Sequence, residues 1–195
     1  MRKIIASEWM SLDGVIQSPS SPEEDASGGF KHGGWHSAYL EAESMNWVME
    51  SITLAGGFLF GRRTYEIFAA HWPNASAQEQ VLAQPLNELP KYVLSRSLRE
   101  PLSWNNSSLL GTHFVEEIHD LKKAPGGDLL IVGSSEVVGT LLSHDLLDEL
   151  RLMIDPVCLG GGKKLFPVDG ARFPLTLLSS RTVASGALLL TYSRA

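Results

Sequence analysis

The chain has 195 residues, of which 44% are hydrophobic and 19% charged, the composition of a globular protein with a buried core. Its formal net charge of −6 argues against a general role in binding nucleic acid or membrane surfaces. Cys158 is the only cysteine, which excludes an internal disulfide framework and a cysteine-based zinc site.

The sequence contains no segment typical of export or membrane insertion. The N-terminal apolar run stops at Ser7 and Glu8, which is too short for the apolar core of a signal peptide. No stretch approaches the roughly 20 apolar residues that cross a bilayer. We therefore expect a cytoplasmic protein that binds neither membranes nor nucleic acid, with residues 1–195 forming one domain.

The N-terminal part predicts a strand, a long loop and a helix. A strand-like run covers residues 3–10, and Asp13-Gly14 marks a turn after it. Residues 18–34 are rich in Ser, Pro and Gly, and irregular segments of that length usually serve as binding loops or lids. Apolar residues at helical spacing then predict a helix that Gly56-Gly57 ends.

The remainder of the chain alternates short apolar strands with helices. Strands are predicted at 58–60, in "KYVLSRSL", at 129–132 and at 149–156, and helices from Thr64, at 114–123 and at 136–143. The last two strands flank Ser185-Gly186, as in a hairpin at the edge of a sheet. This alternation predicts an α/β sheet with an antiparallel finish.

Three of the predicted strands run into residues suited to hold an anion. The motifs are "FGRRTYE", "VLSRSL" and "IVGSSEVV", and their donors are Arg62, Arg63, Thr64 (also the helix-cap candidate), Ser95, Arg96, Gly133, Ser134 and Ser135. Each motif alone is explained as well by an ordinary strand-to-helix turn. Together they favour a dinucleotide, because parallel strands end at the same edge of a sheet and helix N-termini bind phosphate.

The order of "SLDGVI", "FGRRTYE", "YVLSRSL", "IVGSSEVV" and "LDELRLMIDPVCLGGGKKLFP" resembles the dihydrofolate reductase fold family. Within it, the chain is more similar to the C-terminal reductase domain of the bifunctional riboflavin-biosynthesis deaminase-reductase and to its stand-alone bacterial relatives. The likeness covers nearly the whole chain. It implies a central, mostly parallel sheet flanked by helices with an antiparallel C-terminal hairpin. It also implies an NADPH-dependent reductase that forms a homodimer, with the C-terminal strands as the expected surface.

The resemblance also assigns cofactor roles to individual residues. The resemblance implies that "GRRT" binds NADPH phosphates and that Ser95 and Arg96, after the next strand, bind the 2′-phosphate. It also implies that "GSSEV" lies at the pyrophosphate. Ile16 is expected beside the nicotinamide, with the loop after it as the active-site lid. The cofactor set is Ile16, Gly61, Arg62, Arg63, Thr64, Ser95, Arg96, Gly133, Ser134, Ser135, Glu136 and Val137.

On the substrate side the sequence departs from true dihydrofolate reductases. Counting back from Gly61 puts Met45 where those enzymes hold a pterin with a carboxylate, and a methionine cannot pair with a protonated pterin. We place Met45 and Met49 in the substrate pocket and Trp35 at its mouth. Asp13, in "SLDG", is the catalytic candidate that orients substrate or relays a proton; an ordinary Asp-Gly turn is the alternative.

Other sites are not expected. His32 and His36 stand four apart in the glycine-rich "HGGWH" with no third ligand, so we predict no metal site. "CLGGGKKLF" lacks the spacing of a Walker A loop. The main hypothesis is a reductase resembling 5-amino-6-(5-phosphoribosylamino)uracil reductase, passing hydride from NADPH to a small heterocyclic or carbonyl substrate. A non-catalytic nucleotide-binding relative and, third, a true dihydrofolate reductase stay as alternatives.

Overall fold

A single sheet built from the apolar runs of the sequence forms the centre of the fold. The computed structural model describes residues 1–166 and 171–195, and in them the strands are β1 (Ile4–Ser11), β2 (Ala55–Gly61), β3 (Lys91–Leu94), β4 (Ser107–Leu110), β5 (Asp128–Ile131), β6 (Glu149–Asp155), β7 (Leu175–Thr182) and β8 (Leu188–Arg194). The helices are α1 (Ala42–Leu54), α2 (Arg62–His71), α3 (Gln80–Glu88), α4 (Phe114–Lys123) and α5 (Ser135–Ser143). Short 3₁₀ turns lie between them.

The strand order is β4-β3-β2-β5-β1-β6-β8-β7. The first six strands of the chain pair in parallel, whereas β8 runs antiparallel to β6 and β7 antiparallel to β8. The turn between β7 and β8 contains Gly186 at a φ of +84°, and the Val183 N–H donates to the Ala187 carbonyl across it at 3.0 Å. The prediction of a mostly parallel α/β sheet with a C-terminal hairpin at its edge is confirmed.

Helices cover both faces of the sheet because its central strands are apolar on both sides. Leu59 in β2 packs with α4 and α5, whereas its neighbours Phe58 and Phe60 pack with α1, α2 and α3. In β1 the same alternation sends Ile4 to the first face and Ile5 to the second. Continuous burial of this kind is typical of parallel strands. No helix within the described ranges is both long enough and apolar enough to cross a membrane.

Several predicted boundaries were wrong. Gly56-Gly57 does not end α1 as a turn but lies inside β2, which begins at Ala55 directly after the helix. The reason is close backbone approach: a β-carbon at Gly56 would lie 2.6 Å from the Gly127 amide nitrogen. The strand β4 and the helix α3 were not predicted. The pattern of β4, "SSLL", has only two apolar residues.

Candidate functional site

The carboxyl ends of β3, β2, β5 and β1 meet side by side, as their order in the sheet requires. Leu94, the last residue of β3, pairs with Gly61, the last residue of β2. The loop that begins at Ser95 therefore starts beside the N-terminus of α2. The prediction that the ends of these three strands share one edge of the sheet is confirmed by this topology.

Hydrogen bonds join the end of β2 directly to the turn after β5. The Gly61 N–H donates to the Ser134 hydroxyl at 3.1 Å, and that hydroxyl donates to the Thr64 Oγ1 at 2.9 Å. The Thr64 hydroxyl in turn donates to the Gly133 carbonyl at 2.9 Å. Two motifs separated by about 70 residues thus form one rigid junction at the switch point of the sheet.

These bonds correct the expected capping. Helix α2 begins at Arg62 with Gly61 as its N-cap, so Thr64 lies inside the helix instead of capping it. Ser134 holds the N-cap position of α5, but its hydroxyl reaches the β2 end and makes no cap bond. Since neither helix has a side-chain cap, backbone N–H groups at both N-termini face the edge where an anion would bind.

The turn after β5 packs closely against the end of β2. Gly133 has a φ of +70°, a conformation that favours glycine. A β-carbon at Gly61 would come within 3.3 Å of the Val137 side chain, so the two turns already approach closely. Val137 is buried, Ser135 half-buried and Glu136 exposed. Of this predicted set, Gly133 and Glu136 are exposed.

Glu8 is a site residue that the sequence did not reveal. Its side chain is 3% exposed in the middle of β1, and its Oε2 accepts the Gly133 N–H at 2.9 Å. Burial raises the pKa of Glu8 to about 8, although the Gly133 and Ser134 N–H groups oppose the shift. Its other oxygen, Oε1, has no partner among the described residues. A carboxyl that is largely protonated at neutral pH therefore holds the predicted pyrophosphate turn.

The basic residues of the edge are engaged to different degrees. Arg62 pairs with Glu66 one turn along α2 at 2.9 Å. Arg63 reaches the lid segment, where it donates to the Ser27 hydroxyl at 3.1 Å. The exposed Arg96 guanidinium makes no hydrogen bond or ion pair with any described residue. Of the three arginines, Arg96 is thus the one whose guanidinium has no partner within residues 1–166 and 171–195.

Ser95 shapes the loop that carries Arg96. The Ser95 Oγ accepts the N–H groups of Ser97 at 3.2 Å and Leu98 at 3.0 Å, which closes a tight turn. The Arg99 side chain folds back onto the Arg96 carbonyl at 3.1 Å. The loop is therefore held by its own bonds, and the Arg96 side chain projects from it.

The segment 18–34 forms the predicted irregular loop and is clamped from two sides. The Gln17 amide donates to the Asp25 and Ser27 carbonyls at 2.9 Å each, while its oxygen accepts the Lys163 N–H at 3.0 Å. The Lys163 ammonium also pairs with the Asp25 carboxylate. Burial alone would raise the pKa of Asp25, but the bonds from Lys163 and Ser27 hold it below its ordinary value.

An open groove of about 570 Å³ lies between this loop and the glycine-rich turn after β6. Its walls are Gln17, residues 27–32 and residues 159–163. "CLGGGKKLF" thus lines a groove as a strand-end turn, which agrees with the expectation that it is not a Walker A loop.

Asp13 anchors this same turn. Its carboxylate accepts the Ser11 hydroxyl at 2.6 Å and the Leu159 and Gly160 N–H groups at 3.1 and 2.9 Å. The Ser11 bond, followed by that from Leu159, lowers the pKa of Asp13 to about 2. A carboxylate that is ionised and fully engaged at neutral pH is suited to hold a loop, which favours the turn interpretation over proton relay.

The structure places the remaining predicted residues around the lid and α1. Ile16 is 7% exposed, belongs to the core on the α5 side and donates its N–H to the Lys163 carbonyl at 2.9 Å. Trp35 is half-buried, and its indole N–H donates to the Gln17 carbonyl at 2.9 Å. Met49 packs against the core on the α1 side, whereas Met45 is half-buried near the start of that helix.

The two histidines of "HGGWH" are not brought together. His32 packs edge-on against Phe30, with ring centroids 5.7 Å apart. His36 is buried, with its Nδ1 2.7 Å from the Asp155 carboxylate. Throughout residues 1–166 and 171–195 no group of three His, Cys, Asp or Glu side chains is arranged to hold a metal ion.

The donor set of the edge fits a dinucleotide. It offers uncapped helix N-termini at α2 and α5, a positive-φ glycine between them and an unpaired guanidinium on the adjacent β3 loop. Uncapped N-termini match phosphate oxygens, and a guanidinium matches a phosphate monoester. A dinucleotide bound at this edge could therefore contact several of the predicted cofactor-binding residues at once.

The fold is dihydrofolate reductase-like. A dihydrofolate reductase from Enterococcus faecalis complexed with NADP(H) superposes with a TM-score of 0.60 at 16% identity, over 98% of this chain and 96% of that one. More particularly, the RibD C-terminal domain family model matches residues 2–189, and the chain belongs to that family. This confirms the resemblance derived from the sequence.

Individual relatives agree with the assignment. The chain is 32% identical to the uncharacterized protein YyaP of Bacillus subtilis over 136 residues, which are 69% of this chain and 71% of YyaP. A putative riboflavin biosynthesis protein from Shewanella superposes with a TM-score of 0.68 at 22% identity, over 100% and 99% of the two chains. RibD of Acinetobacter baumannii gives a TM-score of 0.61 at 17% identity, and the chain covers 58% of it.

Proposed function

We propose that the protein is an NADPH-dependent reductase that transfers hydride to a small heterocyclic or carbonyl substrate. The observation that carries the proposal is the hydrogen-bonded junction of Gly61, Thr64, Gly133 and Ser134, with the unpaired Arg96 on the neighbouring strand end. Membership of the RibD C-terminal domain family and the dihydrofolate reductase-like fold support it.

In this proposal each strand end has a distinct task. The turns at Gly61 and Gly133 hold the pyrophosphate on their helix N-termini, and Arg62 adds charge. Arg96 binds the 2′-phosphate, which NADPH carries and NADH lacks. Ile16 packs beside the nicotinamide, which when bound supplies the hydride. The chain's own contribution is to position the reactants and exclude water.

The lid and the groove define the substrate side. Gln17, Arg63 and Lys163 hold the segment 18–34 over the sheet edge, which restricts access of water to the reacting atoms. Asp13 fixes the opposite wall by tying down the turn at Leu159. We propose a substrate smaller than folate, related in chemistry to the aminouracil substrates of riboflavin synthesis, because Met45 replaces the pterin-binding carboxylate.

A titration of the pure protein with NADPH and with NADH tests the cofactor proposal. We expect binding of NADPH in preference to NADH, measured by calorimetry or by the change in nicotinamide fluorescence. Binding of neither nucleotide, or a clear preference for NADH, would disprove it.

The variant Arg96→Ala tests the assignment of the 2′-phosphate. Loss of the guanidinium should weaken NADPH binding by about tenfold or more, corresponding to a charge-assisted bond, and leave NADH binding nearly unchanged. Lys123→Ala, at the opposite end of the sheet on α4, is the matched control for a lost positive charge. Equal losses for both nucleotides would show that Arg96 does not contact the 2′-phosphate.

A second candidate function is a nucleotide-binding protein without hydride chemistry. It is favoured by the geometry of Asp13, whose carboxylate is committed to three hydrogen bonds and ionised. A panel of pterin, pyrimidine and quinone substrates separates the two candidates. Oxidation of NADPH with any of them supports the reductase, whereas NADPH binding without turnover supports the non-catalytic relative. Turnover of dihydrofolate would instead support the third alternative, a true dihydrofolate reductase.

We also propose that the protein is a cytoplasmic homodimer. The single cysteine fits a reducing compartment. The strand β7 is an edge strand whose Leu177 and Leu178 are 51% and 56% exposed, and such an edge is suited to pair with a second copy.

A further inference from the structure

Gly133, in the turn after β5, is held by side chains from two other elements. Its N–H donates to the Glu8 Oε2 of β1 at 2.9 Å, and its carbonyl accepts the Thr64 hydroxyl of α2 at 2.9 Å. Its φ of +70° is a conformation that glycine adopts readily. Because both backbone polar groups of Gly133 are engaged, the direction of the peptide groups that follow it is fixed.

The N–H groups after this turn are available to an anion. The first bond of α5 runs from the Val138 N–H to the Ser134 carbonyl at 3.0 Å. The N–H groups of residues 135–137 come before it, so they have no acceptor within the helix. Free N–H groups and the helix dipole together attract negative charge. Glu8 therefore orients, through Gly133, a set of donors that it does not itself occupy.

No positive group within residues 1–166 and 171–195 balances the Glu8 carboxyl. The side chain is 3% exposed, its Oε1 is buried without a hydrogen-bond partner in those ranges, and no Lys, Arg or His there forms an ion pair with it. An unpaired carboxylate is much more costly to bury than the neutral acid. Burial accordingly raises the pKa of Glu8 to about 8, against the opposing N–H groups of Gly133 and Ser134. At neutral pH the turn is therefore held by an uncharged acid.

The elements around Glu8 surround it with apolar side chains. Leu152 of β6 pairs with it in register, and Val137 and Val138 of α5 pack on the same face of the sheet. Arg151 of β6 lies on the opposite face, bonded to α1. The charged side chains near the start of the two adjoining helices are exposed: Arg62, Arg63 and Glu66 on α2 and Glu136 on α5. Protonation of Glu8 is therefore what keeps the interior of this site neutral.

We propose that Glu8 is the positioning residue of an anion-binding turn, and that it must carry a proton for the turn to bind a phosphate-bearing ligand. An ionised Glu8 would add a buried negative charge beside the bound phosphate, where charges are weakly screened. Binding of the phosphate must in turn favour the protonated acid, because coupling between two bound groups is reciprocal. The inference rests on the proposed function, since it concerns the turn that would hold the cofactor's pyrophosphate.

Calorimetric titrations at pH 7 and pH 9 test the proposal. The ligands are NADPH and 2′-phospho-ADP-ribose, which keeps the phosphates of NADPH but lacks the nicotinamide. The native protein should bind each ligand about tenfold more weakly at pH 9, because about nine-tenths of the free protein then carries an ionised Glu8.

Glu8→Gln should lose less than about twofold between the same pH values, since its amide stays uncharged and can still accept the Gly133 N–H. Glu88→Gln, which changes an exposed carboxylate at the end of α3, is the matched control and should keep the native loss. Equal losses in the native protein and in Glu8→Gln would overturn the proposal.

Proton uptake is a second readout, which a purely structural role of Glu8 would not produce. At pH 9, calorimetry in two buffers of different ionisation enthalpy should show that the native protein takes up close to one proton per bound ligand. Glu8→Gln should take up none. Binding by the native protein without proton uptake would contradict the coupling.

A measurement on the native protein covers the case in which Glu8→Gln fails to fold. In protein labelled with ¹³C at its glutamate carboxyl groups, one resonance should titrate near pH 8. Saturation with 2′-phospho-ADP-ribose should raise the midpoint of that titration by about one pH unit or more. Absence of such a resonance, or an unchanged midpoint, would overturn the proposal.

The two ligands separate this inference from the cofactor proposal. NADPH binding of equal strength at pH 7 and pH 9 contradicts this inference alone. Binding of 2′-phospho-ADP-ribose that weakens at pH 9, without any binding of NADPH, contradicts the cofactor proposal alone. Binding of neither ligand contradicts both.

Discussion

Glu8 shows how one residue can set the properties of the predicted phosphate turn. Its carboxyl group is buried in β1 and accepts the Gly133 N–H at 2.9 Å. Because burial raises its pKa to about 8 from 4.5, the folded protein binds a proton there that the unfolded chain has released at neutral pH. Below pH 4.5 both states are protonated, so the group costs no stability. As the pH rises from about 4.5 to 8, the folded state loses stability through this group.

Glu8→Gln should remove this dependence. The amide oxygen can still accept the Gly133 N–H, and the amide carries no charge. We expect the free energy of unfolding of the variant, relative to the native protein, to increase between pH 5 and pH 8 by on the order of a few kcal/mol. Urea denaturation at a series of pH values measures it.

Glu136→Gln is the control for that experiment, because Glu136 is an exposed carboxylate at the start of α5 near the same turn. It should not reproduce the pH-dependent gain. A Glu8→Gln profile parallel to that of the native protein would show that Glu8 does not titrate between pH 5 and 8.

At the scale of elements, the start of β2 depends on close contact between the backbones of two glycine residues. Gly56 is the second residue after α1, and its backbone lies against that of Gly127 in the turn before β5. This contact lets α1 pass into β2 with no connecting loop. The register shifts between Ala55 and Gly57, which places a bulge at the same point.

Gly56→Ala should therefore destabilise the protein. An added β-carbon would lie 2.6–2.8 Å from Gly127 backbone atoms, which cannot move aside as a side chain can. Overpacking of this kind costs about 1–3 kcal/mol, measurable as a lower melting temperature. Gly161→Ala, where a β-carbon has no neighbour within 4 Å, should change stability little. Equal melting temperatures for both variants would contradict the close contact.

At the scale of the whole molecule, the two edge strands of the sheet differ in length and exposure. β4 is a strand of four residues at one edge, whereas β7 at the other has eight and is exposed along most of its length. Leu177 and Leu178 stand on that edge beside a shift in register. Long exposed edges with apolar side chains usually pair with another chain.

Leu178→Glu should shift the proposed homodimer to monomers, because a charge at a paired edge would be buried without a partner. Sedimentation velocity of the native protein and the variant measures the change. Leu54→Glu, a change of a similarly exposed leucine at the end of α1, should leave the dimer intact. A monomeric native protein would contradict the proposal, and so would a Leu178→Glu variant that remains dimeric.

The sequence by itself determined the fold class, the family and the edge of the sheet at which function is expected. Apolar periodicity predicted the strands of the core and, to the residue, the bounds of α4, because local patterning decides which face is buried. Strand-end motifs predicted that Gly61, Arg96 and Gly133 lie along one edge, since parallel strands must present their ends together.

Only the tertiary structure decided what those residues and their neighbours do. It showed that Thr64 and Ser134 bond to each other's turns, that Asp13 is engaged as an anchor, and that Glu8 is buried against Gly133. It also paired His36 with Asp155, which stand 119 residues apart. Contacts and burial of this kind depend on how distant segments pack, and no local pattern in the sequence encodes them.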